Sequence, residues 1–171
     1  MQGRAGWMFS YIYNNIEKNP IYLDFAKSCI DFASSYCIDS DGRMFFTVTR
    51  DGKPLRKRRY WFSETFYIMA NAEYYMATGD KKYLDIAIKY FKFVYGIYRD
   101  PSSDPYKITP KSFAETRNTK TLANPMILLN VASIMRDADR ESFNYYDQII
   151  TSLIEDIKCF YKPEYKAMFE N

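Results

Sequence analysis

Histidine is absent from all 171 residues of the chain. Histidine is the usual proton carrier near neutral pH. Acid–base chemistry done by these residues alone would therefore fall to Glu, Asp, Tyr or Lys. Glycine and proline are scarce, at six and seven, while 47% of residues are hydrophobic and 26% charged. That balance excludes a disordered chain, because so much apolar surface has to be buried. The three cysteines, Cys29, Cys37 and Cys159, have neither metal-ligand nor CxxC spacing. An odd, small number in a chain this long argues against a disulfide framework, so reduced core thiols and a cytoplasmic location are expected. No apolar run reaches the roughly 18 residues needed to span a membrane, and the start lacks the apolar stretch of a signal peptide. A glycine-rich phosphate loop is also missing, so no metal or organic cofactor is expected.

Aromatic residues are plentiful, at 19%, with seventeen Tyr and thirteen Phe. A flat ring packs on sugar C–H groups while a phenol hydroxyl bonds a polar neighbour, so such a surface suits carbohydrate. For any single Tyr, ordinary helix packing with the hydroxyl tip in water is the favoured reading. Net charge is only +3, and the dense basic run Lys53, Arg56, Lys57, Arg58, Arg59 stands alone. It reads as a solvated hairpin arm rather than a nucleic-acid surface, because no basic face recurs. Neither nucleic acid nor membrane is expected as a partner.

Self-similarity gives the architecture. Tyr22-Leu23-Asp24-Phe25-Ala26 is echoed 61 residues later by Tyr83-Leu84-Asp85-Ile86-Ala87, and Tyr145-Tyr146-Asp147 follows after 62 more. Each echo opens a segment with apolar residues at steps of three and four: Leu84, Ala87, Phe91 and Val94 in the second, and Phe143, Tyr146, Ile150, Leu153, Ile157 and Phe160 in the third. That spacing predicts helices with one apolar stripe each. Partner helices are predicted from about Trp7 to Ile16, Ser63 to Ala77 and Thr121 to Met135. Asn19-Pro20 is expected to end the first helix. Gly79 is a C-terminal cap, Asp80 an N-terminal cap, and Asp137 and Asp139 separate the last pair. The result is three antiparallel helix pairs, an all-α chain in a repeat that buries its faces by stacking. Asp41-Gly42 and Asp51-Gly52 are turn signals around strand-like Met44-Phe45-Phe46-Thr47-Val48-Thr49, which predicts a β-hairpin over about 43–60. The stretch from Asp100 to Asn118, with three prolines, reads as a long loop of the kind that borders a site. Spacing alone leaves open whether the pairs form a solenoid or part of a closed α/α barrel.

Four strings in order then carry a resemblance. Gln2-Gly3-Arg4-Ala5-Gly6-Trp7, Asp41-Gly42-Arg43-Met44-Phe45-Phe46 with Thr49-Arg50-Asp51-Gly52, Phe62-Ser63-Glu64-Thr65-Phe66-Tyr67, and Ala123-Asn124-Pro125-Met126-Ile127-Leu128-Leu129 together resemble the N-acylglucosamine 2-epimerase family across essentially the whole chain. The resemblance implies an (α/α)6 barrel whose pocket lies at one end. It implies inversion at C2 of a sugar by proton removal and return, carried out by two histidines on later inner helices. One of these histidines follows proline and glycine, shortly after a segment like Ala167-Met168-Phe169-Glu170-Asn171. The 171 residues are therefore expected to form a single partial domain, roughly the first half of a barrel, poorly catalytic alone. Apolar faces exposed on such a half predict self-association into a homo-oligomer.

On the same resemblance Arg4 is the catalytic candidate. A fixed guanidinium stabilises the negative oxygen left by proton removal beside a carbonyl and orients the sugar. Trp7 and Phe62 are candidates to stack on the sugar, or else core residues. Glu64 binds sugar hydroxyls, holds Arg4, or simply favours a helix N-terminus. Asn124 and Met126 match the motif at a helix mouth, with capping the other role open to Asn124; Tyr11 and Tyr67 are weaker pocket candidates. A non-catalytic helical-repeat module binding sugar or protein is the alternative function.

Overall fold

The computed structural model describes residues 1–58, 60–106 and 120–170. Among the described residues six α-helices form three consecutive pairs: α1 (Gln2–Asn15) with α2 (Pro20–Tyr36), α3 (Phe62–Thr78) with α4 (Lys81–Arg99), and α5 (Ala123–Ala138) with α6 (Phe143–Lys158). The hairpin lies between α2 and α3 as β1 (Phe45–Val48) and β2 (Pro54–Lys57), antiparallel with Phe45 opposite Lys57 and Val48 opposite Pro54. Its turn uses Gly52 at φ +86°, a left-handed conformation that glycine adopts without strain. The predicted loop over 100–118 begins with a short 3-10 turn at Pro101–Ser103, and its part beyond Tyr106 lies outside the described residues.

Two compact units are present, residues 1–106 and 107–171. In the first, α1 and α3 run side by side in the same direction: Gly3 meets Phe66, Gly6 meets Ala70, and Asn14 Nδ2 donates to the Glu73 carbonyl at 3.0 Å. Small residues set the closeness, since a Cβ on Gly3 would come within 2.9 Å of the Phe66 backbone. The apolar stripe of α4 is the predicted one, with Leu84, Ala87, Phe91 and Val94 all buried against α3. Tyr67 and Tyr90 meet edge to face between these layers at 5.1 Å. In the second unit α5 packs on α6 through Leu128, Val131 and Met135 against Tyr146, Ile149 and Leu153. A two-residue ladder, Tyr161–Lys162 with Ala167–Met168, turns the chain back so that the Leu122 amide donates to the Glu170 carbonyl at 2.9 Å.

Several local readings change. Asn19-Pro20 does not end α1, which stops at Asn15. Pro20 is the first residue of α2, and Asn19 caps it by accepting from the Ile21 amide at 3.2 Å. Proline suits that position because a first-turn N–H has no helical partner to lose. Gly79 and Asp80 cap α3 and α4 as expected. Asp137, however, lies inside the last turn of α5, and only Asp139 follows the helix. On α6 the buried stripe runs through Ile149 rather than Ile150, and Phe143 is exposed, its ring beneath the Arg136 guanidinium. All three cysteines are free, but only Cys37 is in the core; Cys29 is half-buried and Cys159 exposed.

Candidate functional site

Because α1 and α3 are parallel and in contact, their N-terminal ends share one end of the first unit. Arg4 stands in the first turn of α1 and is exposed; its guanidinium lies over the Phe66 ring of α3, 4.4 Å from the centroid. Arg4 makes no ion pair among the described residues. Trp7, one turn on, is half-buried against Tyr11, and its indole N–H is buried without an acceptor. Phe62 opens α3, half-buried, stacked on Tyr60 at 5.4 Å and edge-on to Trp61 at 5.7 Å. Arg4, Trp7 and Phe62 thus stand on the leading turns of two neighbouring helices.

Glu64 is fully buried and its partner is Arg43, not Arg4. Arg43 Nε donates to Glu64 Oε1 at 2.7 Å, and the Met44 amide donates to the same oxygen at 2.7 Å. Arg43 Nη1 bridges both oxygens of Asp104, at 2.7 and 2.5 Å, and Nη2 reaches the Arg58 carbonyl at 3.2 Å. Burial pulls the Arg43 guanidinium down, but the Glu64 and Asp104 carboxylates outweigh it, so it is held even more firmly charged than usual. Glu64 Oε2 is buried with no hydrogen-bond partner among the described residues.

A second charge cluster adjoins this one. Lys57 Nζ bonds Asp39 and Asp41, and lies 4.7 Å from the Tyr106 ring and 5.3 Å from the Phe45 ring. Desolvation works against its charge, while the two aspartates overcome it and raise its pKa. Lys57 is therefore not part of a solvated basic arm; its side chain is almost wholly buried. Of the same run, Arg58 covers the Phe46 ring at 4.0 Å, and Arg59 lies outside the described residues. The two clusters fasten the hairpin to the start of α3 and to the segment after α4.

The other candidates separate. Tyr67 is buried, its hydroxyl 2.7 Å from Ser34 Oγ on α2, and burial pushes its phenol up. Tyr11 is exposed beside Trp7. Asn124 and Met126 lie in the second unit, on the first turn of α5. Asn124 does not cap that helix; its Oδ1 is buried without a partner among the described residues, while Met126 is half-exposed.

Phe66, Arg43, Asp104 and Tyr106 were not picked out as site residues. One signal for the Arg43–Asp104 pair was in the sequence. The two are 61 residues apart, the same interval as the helix repeat, so they occupy equivalent places after α2 and α4. Stacked repeats bring such places to the same end. Phe66 carried no signal beyond its place in the Phe62–Tyr67 string.

The profile of N-acylglucosamine 2-epimerase (GlcNAc 2-epimerase) matches residues 1–163, and the chain belongs to that family. It is 30% identical to human N-acylglucosamine 2-epimerase, over all of this chain and 40% of the human protein. Against the bovine N-acylglucosamine 2-epimerase it is 31% identical, over 82% of this chain and 34% of that one. Cellobiose 2-epimerase from Dictyoglomus turgidum is 27% identical, over 96% of this chain and 43% of its own. Among solved structures, cellobiose 2-epimerase from Spirochaeta thermophila superposes with a TM-score of 0.76 at 23% identity, covering 99% of this chain and 47% of its own. These neighbours are (α/α)6 barrels, and the three helix pairs with their hairpin are part of that fold. The chain spans about two fifths of the length of the curated relatives it matches.

Proposed function

We propose that these residues form one wall and the oxyanion-stabilising part of a sugar 2-epimerase that interconverts N-acetylglucosamine and N-acetylmannosamine or a related pair. The observation that carries this is Arg4, a guanidinium held at a helix mouth with no acid paired to it among the described residues, in a chain of this family. Removing the C2 proton beside the carbonyl leaves an enolate, its negative charge on oxygen. A cation already in place lowers the cost of that charge without reorganising at the moment of reaction. Returning a proton to the opposite face completes the inversion, and no atom is gained or lost.

Arg4 stabilises the oxygen, while Trp7 and Phe62 supply flat apolar surface for the sugar ring. Asn124 and Met126, on the first turn of α5 in the second unit, are sugar-binding candidates by their match to the family string alone. Glu64 acts from behind the wall: its carboxylate is spent on Arg43 and the Met44 amide, so it shapes the site through the hairpin. The two proton-transfer groups are histidines outside these 171 residues, since none occurs within them. Without those groups the 171-residue chain is inactive.

The test is solvent deuterium wash-in at sugar C2. N-acetylmannosamine in heavy water is followed by NMR with the 171-residue chain and with the protein extended past Asn171. Exchange with the extended protein alone, cut about 10²–10³-fold by Arg4→Lys, is the expected result. Exchange catalysed by the 171-residue chain would put the base among Glu, Tyr or Lys here. No exchange with either protein would remove this substrate.

A further inference from the structure

We infer that Phe66 and Gly3 are positioning residues for Arg4. Together they build a seat that holds the guanidinium in place by its face and leaves its N–H edge free for substrate. This inference rests on the role given to Arg4 in the proposed function. Two separate observations lead to it.

The first is the ring. The Arg4 guanidinium lies 4.4 Å from the Phe66 centroid, within the range where a cation is attracted to an aromatic face. No carboxylate pairs with Arg4 among the described residues. A carboxylate would hold a guanidinium by its N–H donors, the same donors a substrate oxygen needs. A ring holds it through the π face and leaves those donors available.

The second is the helix contact. A Cβ on Gly3 would stand 2.9 Å from the Phe66 carbonyl carbon and 3.1 Å from the Phe66 Cβ. Any other residue at position 3 forces α1 away from Phe66. The close approach brings the first turn of α1, and with it Arg4, onto the ring. Gly3 and Arg4 are adjacent in the sequence; Gly3 closes on the Phe66–Tyr67 backbone of α3, and Arg4 lies over the Phe66 ring.

Phe66→Leu keeps a half-buried apolar side chain and removes the π face, whereas Phe66→Tyr keeps the face. In the protein extended past Asn171, Phe66→Leu lowers kcat about tenfold with KM little changed, because the seat matters most where charge develops. Phe66→Tyr stays within about twofold of wild type, and all three melt alike. Wild-type kcat in Phe66→Leu overturns the inference. An equal loss in the Leu and Tyr variants also overturns it, since that marks a packing role.

A readout independent of activity uses the 171-residue chain. The Arg4 Nε–H proton resonance is displaced upfield by the Phe66 ring current and returns to the ordinary arginine position in Phe66→Leu. If the extended protein epimerises no sugar, the epimerase reading fails and this resonance alone decides the seat: displacement supports it, and an ordinary position in wild type overturns it.

Discussion

Replacing Glu64 by alanine removes the acceptor shared by the two buried donors that join the hairpin to α3. Arg43 Nε and the Met44 amide both bond Glu64 Oε1 at 2.7 Å, and Arg43 and Glu64 are completely buried. Each stranded buried donor costs about 1–3 kcal/mol. Removing one member of a buried ion pair costs about 3–5 kcal/mol when nothing else neutralises the survivor. Here Asp104 still neutralises Arg43, through two bonds to Nη1. Deleting the unpartnered Oε2 also relieves a buried carboxylate oxygen. These offsets place the net loss near the low end, at about 3 kcal/mol, or a fall in Tm of about 10 °C. Glu64→Gln keeps a carbonyl for both donors and loses only the charge, so about 1 kcal/mol is expected. The assay is urea and thermal unfolding followed by far-UV circular dichroism on wild type and both variants. Two results would refute the reasoning. One is a loss below about 1 kcal/mol for alanine, which means the hairpin is not anchored through this carboxylate. The other is equal losses for glutamine and alanine, which means the shared acceptor is not what matters.

Gly6→Val puts its first carbon 3.1 Å from Ile30 Cγ1 and 3.3 Å from Ala70 Cβ, both in the packed core. It should cost about 1–3 kcal/mol by overpacking, read as a lower urea midpoint at unchanged slope. Tyr90 gives a pH dependence. Burial first, then the neighbouring Tyr67 and Glu64, raise its pKa to about 12 from the ordinary phenol value of 10.0. The folded state favours the neutral phenol, so this contribution is complete below about pH 10 and is lost as pH climbs towards 12. Stability should therefore fall over that window in wild type and less steeply in Tyr90→Phe, measured by urea melts alongside tyrosinate absorbance.

How much was legible in the sequence follows from how far each signal reaches. The helix pairs were legible because a 61-residue echo and steps of three and four are properties of the chain itself. The hairpin was legible from paired Asp-Gly turns around a β-rich run. Asn19-Pro20 was misread because a proline marks a boundary without saying which side of it the helix lies on. The partner of Asn19 is the Ile21 amide, and only the folded backbone shows that. Lys57 was misread for a similar reason. A basic run looks solvated until the two aspartates before the strand fold back onto it, and Asp39 and Asp41 are 18 and 16 residues away. Glu64 was legible as an acid at a helix start, yet its partner depended on the register with which the hairpin folds over α3.

The two Gly-Arg pairs, Gly3-Arg4 and Gly42-Arg43, show why sequence alone cannot assign such roles. They are the same dipeptide, each inside a string that resembles the family, but their surroundings differ. Gly42-Arg43 leaves a turn, so Arg43 points back under the hairpin, where Nε, Nη1 and Nη2 each find an acceptor. An arginine in that state adds rigidity, and its donors are not available to a ligand. Gly3-Arg4 lies in the first turn of α1, so the side chain passes over the next parallel helix and, among the described residues, meets a ring instead of a carboxylate. Phe66 decides this outcome. Were an acid at that position in α3, Arg4 would be bonded edge-on, as Arg43 is. The predicted functional difference between the arginines thus lies in what faces them: a carboxylate consumes the donors of one, and a benzene ring leaves those of the other open.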